Sequence, residues 1–330
     1  MIRFTSPSKL KALGMLGMNE RNIGFIGEHN PRKYYPLVDD KLKTKATALK
    51  HNIRVPELYG VIKYQFEIAD ATRLLHEYDG FVVKPAQGSG GKGILVVTGH
   101  EDGLFRKSSG ATIDSAEVRR HISNILAGLY SLGGRNDKAM VEALIHFDPD
   151  MEKYSCEGVP DIRVIAFKGV PVMAMMRCAT HESDGKANLH QGAVGVGIDI
   201  ASGRAIRAVQ HGHLVKQHPD TGASFDDLQI PHWLQILDLS SRCVAITGLG
   251  YLGVDIVLDK LRGPMLLELN ARPGLAIQVA NMAGLMHRLA AAEKIASQTD
   301  NHEEKIALAR QQFAARLITA YSDDEINTEE

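Results

Sequence analysis

The chain is predicted to be an α+β protein of two lobes. Three observations point to this. Runs of strand character recur from Phe81 to Leu269, and stretches with helical apolar spacing lie between them. A glycine-rich loop and an acidic hairpin sit near opposite ends of the strand series. At 330 residues, the chain has length for two or three packed units, taking about 100–200 residues per domain.

In chain order, residues 1–36 are mixed and dotted with Gly24, Gly27, Asn30, Pro31 and Pro36, and read as an N-terminal extension. Asp39 and Asp40 precede a helix over Lys41–His51, since acidic residues favour a helix start. Ala69–Tyr78 reads as a second helix, stopped at Asp79-Gly80. Phe81-Val82-Val83-Lys84 is a strand, Gly88–Gly93 a glycine loop, and Ile94–Val97 another strand. Ser115–Leu132 follows as a helix, with Asp114 at its cap and Gly133-Gly134 past its end. Strands are expected at Ala139–Ile145, Ile162–Phe167 and Pro171–Arg177, then a polar loop over Thr180–Asn188. Trp233–Thr247 has helical spacing, and Tyr251–Leu258 with Met265–Leu269 form a hairpin. Glu303–Ala320 is helical, and Ser322–Glu330 is an acidic tail. The division is 1–36 extension, 37–138 small lobe with the flap, 139–300 large lobe, and 301–330 C-terminal helix and tail.

Composition narrows the classes of function. Hydrophobic residues are 44% and charged residues 23% of the chain, as in ordinary globular proteins. A formal net charge of −1 supplies no basic field, so nucleic acid is not an expected partner. Cys156, Cys178 and Cys243 lie far apart and form no CxxC pair. The expectation is reduced thiols in a cytoplasm rather than disulfides or a zinc site. No stretch approaches the ~20 apolar residues of a membrane span, so direct membrane insertion is not expected.

Gly88–Gly93 satisfies G-x-G-x-x-G, but a dinucleotide fingerprint must open a helix, and Ile94–Val97 favours a strand. The P-loop fails because Gly93, not Ser or Thr, follows Lys92. The protein-kinase loop fails because its lysine follows the loop, whereas Lys84 precedes it. What remains is a hairpin flap whose bare N–H groups can approach phosphate oxygens, with Lys84 and Lys41 as cations beside it. A plain glycine-rich turn with a surface lysine is the alternative.

In the hairpin, a turn centred between Leu261 and Arg262 puts Leu258 opposite Met265 and Asp255 opposite Glu268. Glu268 and Asn270 share a face by the period of two. Facing carboxylates repel unless a cation separates them, and this oxygen set suits magnesium rather than zinc. The alternative is that Asp255 pairs with a lysine or arginine while Glu268 is solvated. A phosphate flap and a magnesium hairpin together describe an ATP site between two lobes.

These motifs resemble the ATP-grasp superfamily, and specifically the RimK-type α-L-glutamate ligases, from about Asp39 to Gly284. Asp40-Lys41, followed by Asn52-Ile53-Arg54-Val55-Pro56, is similar to the family's "DK … GIPVP" opening. The resemblance implies Lys41 and Lys84 on the ATP phosphates, covered by a mobile loop of Gly88, Ser89, Gly90, Gly91 and Gly93. Met140–Ile145 resembles the hinge strand, with Val141 where glutamine is usual, and implies Glu142, Ala143 and Ile145 at adenine. Asp161-Ile162-Arg163 matches "DIR", which implies Asp161 at the ribose and Arg163 toward phosphate or substrate. Arg177 with Asn188-Leu189-His190-Gln191-Gly192 resembles "R … SNLHRGG", although Ala187 and Gln191 replace the usual Ser and Arg. Asn188 and His190 are thereby implied as substrate residues. Gly253-Val254-Asp255 and Glu268–Gly274 match "GVD … EVNxxPG", which again implies Asp255, Glu268 and Asn270 as metal ligands.

The implied fold is ATP-grasp, with two α+β lobes holding ATP between them. The implied activity is a ligase using ATP and Mg2+ (or Mn2+) to join a small-molecule or peptide carboxylate to an amine through an acyl-phosphate. Glutamate or another amino acid is an expected donor. Arg272, Arg177 and Arg163 are the catalytic candidates, and Arg272 also binds the substrate carboxylate. The short N-terminal segment stands where relatives carry a substrate-binding domain, and self-association into a homo-oligomer is compatible with the family. A small-molecule kinase on this fold and a non-catalytic ATP-binding regulator are the alternatives. Removing Asp255 or Glu268 is expected to abolish turnover while leaving the fold. His211-Gly212-His213 and His218 read as an exposed loop, and Met173, Met175 and Met176 as core.

Overall fold

A computed structural model describes residues 5–88 and 90–315, and builds them around two antiparallel sheets. The first contains β1 (Leu58–Ile62), β2 (Phe81–Pro85), β3 (Leu95–Glu101), β4 (Leu104–Lys107), β5 (Thr112–Ile113) and β6 (Ala139–Ala143), in the order β1-β6-β2-β3-β4-β5. Phe81 and Val83 alternate into a core with Val118, Ile122 and Ile125 of the Ser115–Leu126 helix. Asp114 caps that helix, accepting from the Glu117 N–H while the Glu117 carboxylate accepts from the Asp114 N–H. The helix ends at Leu126 rather than at Leu132. Gly128 turns the chain at φ +83°, and a Cβ there would lie 2.3 Å from the Arg135 carbonyl oxygen, so glycine is needed.

The expected boundary at residue 139 also shifts. β6 pairs with β1 and β2 and so belongs to the small-lobe sheet. Strand order is a long-range property that the local pattern around Ala139 does not carry.

The second sheet contains β7 (Asp161–Phe167), β8 (Val170–Cys178), β9 (Val194–Ile198), β10 (Ala205–Gln210), β11 (His213–Val215), β12 (Tyr251–Asp259) and β13 (Gly263–Asn270), in the order β11-β10-β9-β8-β7-β12-β13. The Trp233–Thr247, Met286–Gln298 and His302–Gln312 helices pack against it. Met173, Met175 and Met176 fill its core, as expected. β9 to β11 lie where the sequence reading places no strand. The glycines of Val194-Gly195-Val196-Gly197-Ile198 obscure the pattern, yet they serve packing: a Cβ at Gly197 would stand 2.5 Å from the Ala280 carbonyl oxygen. The last helix ends at Gln312, and the final residues of the expected helix, 316–320, lie outside the described residues. The acidic tail lies outside the described residues.

The N-terminal segment is helical in places, including a π-helical stretch at Arg21–Gly27. It is anchored to the large lobe by two buried amides. Asn30 donates to the carbonyls of Tyr251 and Ala271 and accepts from the Tyr251 N–H. Gln278 does the same for Leu16. Among the described residues no helix is long and apolar enough to cross a membrane.

The hairpin register contains one slip. Leu258 faces Pro264 rather than Met265, and Val257 faces Met265. A bulge at Leu267 then absorbs one residue, so Asp255 still faces Glu268. By alternation Val254 and Ile256 enter the core and Asp255 turns the other way.

Candidate functional site

Four neighbouring strands line up charged side chains on one face. β8 sets Arg177 opposite Asp161, and β12 sets Asp255 between Arg163 of β7 and Glu268 of β13. Arg163 grips the Asp255 carboxylate with two bonds, Nε to Oδ1 at 2.7 Å and Nη2 to Oδ2 at 2.5 Å. Arg177 reaches Asp255 Oδ2 at 2.8 Å and holds both oxygens of Asp161. Both acids are buried, so their charges need these paired, hydrogen-bonded partners. Burial works against the ionised form of Asp255, but Arg163 and Arg177 together hold its carboxyl below the ordinary range. For Asp161 burial wins over the pull of Arg177, and the Asp255 charge adds to the rise.

Glu268, opposite Asp255, pairs with Lys41, whose Nζ lies 3.0 Å from Oε1 and donates to the Gly88 carbonyl at 2.6 Å. Lys41 therefore ties the hairpin to the root of the flap. Its helix, Lys41–Lys50, is aimed by Asp40, which accepts from the Leu42 and Lys43 N–H groups. The Lys41 N–H also bonds the Ala86 carbonyl just after β2.

On the small lobe, Lys84 and Glu142 lie diagonally across β2 and β6. Lys84 Nζ is 2.5 Å from Glu142 Oε2, and Lys45 Nζ is 2.7 Å from Oε1. All three are buried. The two ammonium groups overcome the burial cost and hold Glu142 below its ordinary value. Sequence reading missed Lys45; its signal was the spacing of four from Lys41, which puts both on one helical face.

In the flap, Gly90, Gly91 and Gly93 have φ of +66°, +73° and +74°, a region open to glycine. His121 Nε2 donates to the Gly93 carbonyl at 3.0 Å, and Tyr130 packs beneath Gly93. Ser89 lies outside the described residues. At the hinge, the Ala143 N–H donates to the Glu57 carbonyl at 2.9 Å, and Ile145 follows two residues later. Arg272 is exposed and sits over the Tyr35 ring, 5.2 Å from its centroid. Asn188 accepts from the His190 N–H at 3.0 Å, and the His190 side chain is exposed. Among the described residues neither is hydrogen-bonded to Arg163, Arg177 or Asp255. Asn270 faces Gly253, one alternation beyond Glu268.

The oxygen donors Asp255, Glu268 and Asn270 fit a hard divalent cation such as Mg2+. Asp255 does pair with arginine, as the alternative reading has it, and Glu268 pairs with Lys41. A carboxylate has about four lone-pair sites, so acceptor capacity remains beside those bonds. The three cations spaced along the donors are the kind of group that anionic phosphates would draw toward themselves.

The family described as sugar-transfer associated ATP-grasp matches residues 20–294. None of the curated proteins compared with the chain matches it. Among solved structures, the chain is similar to the ATP-grasp ligase PsnB complexed with minimal precursor, at 13% identity over 85% of this chain, with a TM-score of 0.44. It spans 63% of the PsnB chain. The D-cycloserine synthetase DcsG is 14% identical over 86% of this chain and 73% of its own, with a TM-score of 0.45. The D-alanine-D-alanine ligase from Coxiella burnetii is 14% identical over 85% and 59%, with a TM-score of 0.42.

Proposed function

The chain belongs to the sugar-transfer associated ATP-grasp family, and from that membership we propose that it is an ATP-dependent ligase joining a carboxylate to an amine through an acyl-phosphate. The observation that carries this reading is the convergence of Arg163, Arg177, Asp255 and Glu268 on one sheet face, with Lys41 linking Glu268 to the flap. A substrate carboxylate oxygen attacks the γ-phosphorus of ATP and ADP leaves; an amine then attacks the acyl carbon and phosphate leaves. Phosphoryl transfer asks the protein chiefly for positioning and charge neutralisation.

Lys41 and Lys84 are assigned to the phosphates, giving up Glu268 and Glu142 in part to hold them. Glu142, Ala143 and Ile145 are assigned to adenine, and Asp161 to the ribose. Asp255, Glu268 and Asn270 would hold Mg2+ or Mn2+, which supplies charge neutralisation at the phosphates. Arg163 and Arg177 stand where they can follow developing negative charge. The flap of Gly88, Ser89, Gly90, Gly91 and Gly93 excludes water from the acyl-phosphate when closed. Asn188 and His190 are assigned to the substrate end of the site.

Arg272 binds the substrate carboxylate. Its guanidinium is exposed and oriented by Tyr35, and its planar fork suits a carboxylate where a lysine would not. Arg272→Lys is expected to raise KM for the carboxylate substrate about tenfold, the equivalent of about 1.4 kcal/mol for one lost arm of the fork. KM for ATP should stay unchanged; a rise in KM for ATP alone would move Arg272 to the nucleotide.

The RimK-like motifs support an amino acid, glutamate among them, as donor to a peptide or small amine in the cytoplasm. A panel of amino acids and short peptides with Mg-ATP tests the function. Equimolar ADP, phosphate and a new amide mass are expected. ADP with a phosphorylated hydroxyl product and no free phosphate would replace the ligase by a kinase. Nucleotide binding without turnover would favour the regulator.

A further inference from the structure

Cys156, His181 and Asp220 come together where the chain leaves β8, with one potential ligand atom from each lying within 4.8 Å of the others. We propose that these three side chains bind a zinc-class divalent cation, separate from the ATP site.

The spacing fits the ion. The Cys156 Sγ lies 3.4 Å from His181 Nε2. Bonds of about 2.3 Å to sulfur and 2.0 Å to nitrogen, set at a tetrahedral angle, span about 3.5 Å. The sulfur lies 3.7 Å from Nδ1 as well, against the ring edge, so the exposed imidazole turns to aim Nε2 at the ion, with Glu157 Oε1 standing 3.3 Å from Nδ1. A carboxylate there holds the Nδ1–H tautomer and leaves Nε2 free for metal, the arrangement that commonly backs a metal-bound histidine. Asp220 uses Oδ2 to accept from the His181 N–H at 2.9 Å, which leaves Oδ1 as a ligand. Water completes four-coordination.

The scaffold holds three separated segments in register before any ion arrives. The Cys156 N–H donates to the Ala179 carbonyl at 2.8 Å. His218, buried rather than exposed as its sequence context implied, donates from Nε2 to the same carbonyl at 3.0 Å. Its Nδ1 accepts from the N–H groups of Asp220 and Thr221, and Thr221 Oγ1 donates to the Lys153 carbonyl at 2.6 Å. Gly158 and Gly185 make the tightest approach, since a Cβ on Gly158 would stand 2.0 Å from the Gly185 carbonyl oxygen.

The electrostatics also favour a cation. Burial raises the Cys156 thiol above its ordinary range, and Asp220 and Glu157 raise it further. A dication reverses that balance and displaces the thiol proton to solvent. His181 and Asp220 are exposed and Cys156 is half-buried, so an entry path exists. The bound ion ties together the loops at 155–157, 179–182 and 218–221, and steadies the start of the segment that leads to Asn188.

The test uses the full chain, reduced and freed of metal, titrated with Zn2+ against a chromophoric chelator and separately with Co2+. One ion per chain and a thiolate-to-cobalt charge-transfer band are expected. Cys156→Ser should abolish the band, and Glu157→Gln should weaken Zn2+ binding about 10–100-fold. His213→Ala should change neither, which separates this cluster from the His211-Gly212-His213 turn. Unchanged thermal melting of metal-free Cys156→Ser would show that the variant folds. Absence of stoichiometric binding, or a band of equal strength in Cys156→Ser, would overturn the proposal.

Discussion

Glu142→Ala is expected to lose about 3–5 kcal/mol of stability, because it strands buried positive charge. Lys45 and Lys84 both direct their ammonium groups at this carboxylate, and both are at least 94% buried by exposed area (6% and 5% exposed). A domain has about 5–15 kcal/mol in total, so the loss is a large share of the whole. Urea unfolding would show it as a lowered midpoint with an unchanged slope. Glu142→Gln keeps the acceptor oxygen and should lose less. The pH dependence has a definite sign. Glu142 is held below its ordinary value of 4.5 in the folded chain. Its contribution is therefore complete above pH 4.5 and is lost as pH falls through the lower folded value. With Glu142→Gln corrected for its lower starting stability, the wild type should begin to unfold in acid at the higher pH, because it alone loses this contribution; identical acid profiles would contradict the account.

Asp255→Asn is expected to abolish ligation and also to destabilise the chain by about 3–5 kcal/mol, since two guanidinium groups lose their shared charge. The expectation from sequence, that removing Asp255 spares the fold, does not survive its geometry. Arg163 and Arg177 would be left with Asp161 as the acid in the network. Glu268 is different. Its side chain is 32% exposed and its partner Lys41 also bonds the Gly88 carbonyl. Glu268→Gln should therefore melt close to the wild type and still lose turnover, making it the cleaner probe of the proposed metal ligands. Normal ligation by Glu268→Gln with unchanged dependence on Mg2+ would remove Glu268 from the metal set.

Local signals made much of this legible. Asp40 and Asp114 announced their helices because capping chemistry is written within four residues. The pairing of Asp255 with Glu268 followed from a short hairpin, although one residue of slip near the turn and the bulge at Leu267 cancelled to give it. Features that depend on distant chain were hidden. β6 lies between β1 and β2 although many residues separate them in sequence, and nothing local to Ala139 specifies that order. Lys45 looks like a solvent-facing lysine until the β6 carboxylate covers it. The two arginines on Asp255 come from different strands, so residue pattern alone could name them without showing that they share one acid. Cys156, His181 and Asp220 carry no ligand spacing at all, because three loops rather than one motif bring them together.

The most direct test of the ligase account follows the oxygen of the carboxylate. A substrate carboxylate isotopically labelled at oxygen is incubated with the full chain, Mg-ATP and the amine acceptor, and the released phosphate is analysed by mass. Attack of that carboxylate on the γ-phosphorus, followed by amine displacement, transfers one labelled oxygen to each phosphate formed with the amide. Amide formation with unlabelled phosphate would contradict the acyl-phosphate and with it the roles assigned to Arg163, Arg177 and the flap.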